Sequence, residues 1–167
     1  MEAHRTPPAS SSTPYALSFF SLATPDVLPF QPHAPHTNSL TAFVNLEDEI
    51  KRELVKLRHH WDKHEPRMFA PAKDIADEEL TSWRLEEDLV EIRSASSPYG
   101  SIIFGKLRIP ALTDSYIHVR IHDTPGDGQA NIKFHSILTD EIRNDEDKVV
   151  EWRVFQSRGT ALEFFNE

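Results

Sequence analysis

The chain has no cysteine. Disulfides, thiolate zinc sites, iron–sulfur clusters and thiol catalysis are therefore excluded. A secreted domain of this size often carries disulfides, so their lack points to a reducing, cytoplasmic compartment. Glycine is nearly as scarce. All five glycines lie at or beyond Gly100, so the first 99 residues cannot form a phosphate-cradling loop or a dinucleotide fingerprint. No apolar run approaches the roughly 18 residues of a membrane span. Cations are also in short supply, with 18 Lys and Arg against 27 Asp and Glu and a net charge of −9. That balance argues against nucleic acid as a partner, because phosphate binding needs a surplus of cations.

The 167 residues suit one domain, and 38% hydrophobic content is low for a chain that folds throughout. The deficit is local. Seven of the 12 prolines fall in residues 1–38, and the only Asp, Glu, Lys or Arg there are Glu2, Arg5 and Asp26. Such a segment buries too little surface to offset its ordering entropy, so residues 1–38 read as a disordered tail and 39–167 as a single α+β domain. A chain starting at Thr37 is then expected to melt within a few degrees of the full chain. One apolar patch interrupts the tail: Tyr15, Ala16, Leu17, Phe19, Phe20 and Leu22. It is short for a secretory core and lacks the flanking cations of a presequence, which leaves a docking segment or no role at all. Thr6, Thr13 and Thr24 each precede proline and suit proline-directed phosphorylation.

Beyond the tail the period of the apolar residues sets the elements. Phe43, Leu46, Ile50, Leu54, Leu57 and Trp61 recur at spacings of three and four, one stripe of an amphipathic helix. Asn45 reads as its N-cap, with Glu47, Asp48 and Glu49 in the first turn. Lys51, Arg52, Lys56, Arg58 and His59 place cations toward the far end, as the helix dipole favours, and Pro66 forces a stop. A second, shorter helix starts near Asp74 or Asp77. From Leu89 the period becomes two. Strands are expected around Val90 and Ile92, over 102–109, 115–122, 131–138 and 149–155, with a turn at Ser97-Pro98-Tyr99-Gly100. The fold class is α+β: one long helix and a short one on a four- to five-stranded antiparallel meander.

Register sharpens the functional question. Pairing Ile121 with Ile132 and Val119 with Phe134 keeps the apolar sets on one face. It sets His118 opposite His135, Arg120 opposite Lys133 and His122 opposite Asn131. The other face then displays Tyr116, His118, Arg120, His122, Lys133 and His135, a locally basic patch on an acidic chain. Such a patch can bind a small anionic ligand or supply a base near neutral pH. It can equally be the ordinary solvated face of a sheet.

Other chemistry is thinly represented. His60 and His64 share a helix face at the fraying end, a pair that suits the helix dipole better than a metal. Asp145-Glu146-Asp147 lacks the alternating oxygens and central glycine of a calcium loop. Ser136 follows His135, so regular alternation would send their side chains to opposite faces. No nucleophile elbow, metal set or cofactor fingerprint is present in the sequence. The reading that fits is a non-catalytic binding or adaptor domain, with a protein or a small anion as partner. A small α+β enzyme of isomerase, lyase or cyclase type, or a metabolite-binding protein, is the alternative. A covered histidine face favours that alternative, and an open face favours the adaptor.

Overall fold

A computed structural model describes residues 28–29, 31–124 and 131–166. The apolar tail patch, the three Thr-Pro sites and the 125–130 loop lie outside these residues. The elements run β1 (Leu28–Pro29), α1 (Thr37–Val44), α2 (Glu47–His64), a 3-10 segment (Pro66–Ala72), α3 (Asp77–Leu80), α4 (Leu85–Asp88), β2 (Leu89–Ser97), β3 (Gly100–Arg108), β4 (Tyr116–Asp123), β5 (Ile132–Ile137), β6 (Asp140–Arg143) and β7 (Val149–Arg153). The class is α+β, with one long helix against an antiparallel sheet ordered β1-β2-β3-β4-β5.

The apolar stripe expected of one helix is shared between two. Phe43 belongs to α1, the chain turns at Asn45–Leu46, and α2 starts at Glu47 with Leu46, not Asn45, as its N-cap. Phe43, Leu46, Ile50 and Leu54 are buried, while Leu57 and Trp61 pack at the edge of the core. They meet Ile92, Leu107, Ile117, Val119, Ile121 and Ile137 from the sheet. Phe43 sits directly over Gly105, where a Cβ would fall 2.6 Å from Cζ of Phe43. Only glycine permits that approach, so this residue fixes how closely α1 lies on β3.

Arg58 is not a solvent-facing dipole cation. Its side chain is buried and donates to Ile75 O at 2.7 Å, Ala72 O at 2.9 Å and Asp77 Oδ1 at 3.0 Å. It thereby ties α2 to the connection that follows Pro66, and the three acceptors compensate the buried charge. The short helix anticipated near Asp77 is α3.

The expected fifth strand of the meander, 149–155, lies elsewhere. Residues 149–153 form β7, which pairs with β6 in a separate two-stranded sheet closed by the acidic turn 144–148. This hairpin packs on the helical side, with Trp152 5.6 Å from Trp61 and Phe155 5.5 Å from Phe69 between ring centroids. At the opposite edge, residues from the proline-rich stretch join the sheet. Leu28 and Pro29 pair with Ser96 and Ala95, and His33 exchanges two 2.8 Å backbone hydrogen bonds with Ile92.

Candidate binding face

The strands place two sets of side chains on opposite faces. Ile103, Gly105 and Leu107 of β3 align with Ile121, Val119 and Ile117 of β4 and turn toward the helices. The alternate residues form the second face: Arg93 and Ala95 from β2, Phe104 and Lys106 from β3, and Tyr116, His118, Arg120 and His122 from β4. A sheet of this kind often leaves its second face to water. Here the middle of that face is covered, with Ala95 1%, Phe104 2%, Lys106 3% and His118 1% exposed.

The cover is residues 157–166, which follow β7 and cross the sheet with neither helix nor strand. We term it the strap. Tyr116 and Gln156 exchange two backbone hydrogen bonds where it begins, at 2.9 and 2.7 Å. Lys106 Nζ then donates to Arg158 O at 2.7 Å and Thr160 O at 2.6 Å, beneath the Tyr116 ring at 5.1 Å. Arg93 donates to Leu162 O at 3.2 Å and Arg120 to Phe165 O at 3.3 Å. Phe164 and Phe165 set their rings edge-on to Phe104, at 5.0 and 5.1 Å between centroids, and Arg93 lies 4.0 Å over Phe164. Three cations thus hold four main-chain carbonyls, and one aromatic ring receives two.

Burial acts on the titration of this face. It holds the Lys106 ammonium below the ordinary lysine range, with Glu91 and Asp114 opposing that effect. His118 is pushed down to about 4, mainly by burial, with Lys106 and Arg153 adding repulsion. Its imidazole is therefore neutral at physiological pH. His118 Nε2, Arg120 Nε, Arg153 Nε and Gln156 Oε1 are all buried without a hydrogen-bond partner. His118, Arg153 and Gln156 border a cleft of about 380 Å³ between β4, the β6–β7 hairpin and the strap. Asp140 closes its polar side, accepting from Gln156 Nε2 at 2.9 Å and lying 3.7 Å from Arg153.

The six residues singled out from the sequence are only partly brought together. Tyr116, His118 and Arg120 lie under or against the strap, and His122 is half-buried at the far end of β4. Lys133 stands opposite His122, exposed, because the β4–β5 register differs from that expected: Ile121 pairs with Phe134 and His122 with Lys133. His118 does not oppose His135, and Arg120 opposes Ser136 rather than Lys133. A bulge between Arg120 and Ile121 leaves His135 as the extra residue of β5. The bulge breaks the alternation and sends His135 to the helical side, beside Glu53, Lys56 and His60. It also brings His135 Nδ1 to 3.4 Å from Ser136 Oγ, a proximity that regular alternation would forbid. The three histidines do not form one site: His118 is covered, as the enzyme or metabolite alternative requires, whereas His122 is half-buried and His135 is exposed.

Arg93, Phe104, Lys106, Arg153 and Gln156 were not anticipated. The signal for Lys106 was a cation in the middle of a mostly apolar strand, Ile102 to Ile109, two places before Arg108. The signal for the strap was two adjacent phenylalanines in a stretch with no period. Among the described residues no group of three or more His, Asp or Glu is arranged to hold a metal, and no helix is long and apolar enough to cross a membrane. No protein-family model, curated protein or solved structure matches the chain.

Proposed function

We propose that the chain is a non-catalytic binding domain whose recognition surface is the sheet face formed by Arg93, Phe104, Lys106, Tyr116, His118 and Arg120. One observation carries this reading. The cations of the face bind main-chain carbonyls, and its central ring binds aromatic side chains, which is the chemistry of peptide recognition. No carboxylate among the described residues hydrogen-bonds the His118 ring to orient it as a base. The partner is a protein rather than nucleic acid, in keeping with the net charge of −9, and the compartment is the cytoplasm, in keeping with the lack of cysteine. Selection of a displayed peptide library on the immobilised full chain tests the reading. Enriched peptides should lose binding to Arg93→Ala and Arg120→Ala variants. Failure to enrich any peptide, or enrichment indifferent to both substitutions, would sink it.

A second reading keeps the cleft for a small anionic ligand, as a metabolite carrier or a small enzyme would. The favouring observation is the covered, neutral His118 beside Arg153 at the cleft wall. NMR titration of His118 with acetate, phosphate and citrate separates the two, since only a small-anion site moves its ring signals at millimolar concentration.

A further inference from the structure

We infer that the strap occupies in cis a docking groove for a segment of a partner protein, one that carries an aromatic pair. The inference rests on the binding-domain reading and names its partner and its competitor. Each contact of the strap is one that a second chain can reproduce. Lys106 takes the carbonyls of residues 158 and 160 from the turn at 157–160, and Arg93 and Arg120 take those of residues 162 and 165; all four are main-chain groups that a segment of any sequence offers when it follows the same path. Sequence selectivity comes from Phe104 and Arg93, which hold the Phe164 and Phe165 rings.

The cis occupant also fits incompletely. Phe164 remains 37% exposed. The cleft of about 380 Å³ runs along residues 160–165, and His118 Nε2 and Gln156 Oε1 stay unpaired at its wall. Unpaired buried polar atoms weaken the closed state, because their desolvation is not offset. A segment that fills the cleft and meets those atoms therefore competes with a tethered strap despite the high local concentration of the latter. The apparent affinity of the full chain for such a segment is reduced by the fraction of molecules whose strap is open.

The test uses the full chain and a fluorescein-labelled peptide of residues 157–166. Phe164→Ala with Phe165→Ala removes the cis anchors and leaves Arg93, Phe104, Lys106 and Arg120 in place. This double variant should bind the peptide about tenfold or more tightly than the wild type, and adding Arg93→Ala should abolish the gain. A folded double variant that binds no better overturns the inference. So does a wild-type dimer in light scattering that the double substitution dissolves, since the occupant would then be a second copy's strap. Should the double variant not fold, the wild type decides. Excess peptide should shift the Phe164 and Phe165 ring signals in NMR, and unmoved rings overturn the inference. Library peptides that need Arg93 but carry no aromatic pair would overturn this inference and leave the binding-domain reading standing.

Discussion

At the scale of single residues, His118 makes the clearest demand on experiment. Its imidazole titrates near 4 in the folded chain and near 6.5 when unfolded. Above pH 6.5 both states hold the neutral ring, and its contribution to the pH dependence is nil. Between about 6.5 and 4 the unfolded state binds the extra proton, so stability falls as the pH falls; below 4 both states are protonated and the loss from this group stops. The shift corresponds to about 3 kcal/mol in total. His118→Gln, compared with the wild type in urea unfolding at pH 7, 6, 5 and 4, should lose less stability across that window. Parallel curves for the two proteins would mean that His118 is solvated. Strand alternation in the sequence sufficed to group Tyr116, His118, Arg120 and His122 on one face. It could not report that the face is covered, because the covering residues have no period of their own. Nor could it report that His135 leaves the group, since a bulge is one extra residue in one strand and leaves no mark on the alternation of either.

At the scale of elements, the contact between α1 and β3 depends on one missing methyl group. Gly105→Ala would place its Cβ 2.6 Å from Phe43 Cζ and 2.9 Å from Leu89 Cδ1. The strain should cost about 1–3 kcal/mol, the usual range for overpacking. Phe43→Leu shortens the ring that causes the clash, so the double variant should be more stable than the sum of the two single losses implies. Additive losses in a chemical-denaturation cycle would show that the helix shifts freely and that Gly105 sets nothing. The elements themselves were largely visible in sequence, because a stripe at spacings of three and four or strict alternation is imposed by burial. Connections were less so. The stripe from Phe43 to Trp61 cannot reveal the turn at Asn45–Leu46, since α1 and α2 bury a common set. Up to the bulge the β5 register moved two places from expectation, which keeps Ile132 and Phe134 on the helical face; beyond it Val119 pairs with Ile137, three places away, and His135 changes face. Strand β7 left the meander because it found β6, whose four residues Asp140–Arg143 include three charged ones and show no apolar alternation.

For the molecule as a whole, the strap covers the middle of one face of the sheet and the helices cover the other, which leaves the edges of the sheet to be closed. The β2 edge is closed by Leu28, Pro29 and His33, residues that composition alone assigned to a disordered tail. Composition fails there because edge pairing uses backbone groups, which proline-rich segments retain on one side, and demands little apolar area. His36 follows as the N-cap of α1, with its ring Nδ1 2.9 Å from Ser39 Oγ. Removing residues up to His36 strips the β2 edge of its pairing and α1 of its cap. A backbone hydrogen bond contributes about 0.5–1.5 kcal/mol net. Two such bonds join His33 to Ile92, and the Leu28–Pro29 pairing adds to them. The combined loss is about 2–4 kcal/mol by that measure. A chain starting at Thr37 should therefore melt roughly 5–15 °C below one starting at Val27, from the dependence of melting temperature on stability for domains of this size. It should also associate more readily, because a bare strand edge templates pairing with other chains. Equal melting temperatures for the two truncations, with both monomeric in light scattering, would show that the pairing of Leu28, Pro29 and His33 with β2 does not support the sheet. In that case the stability of the domain would begin at α1, as the composition of the first 38 residues suggests.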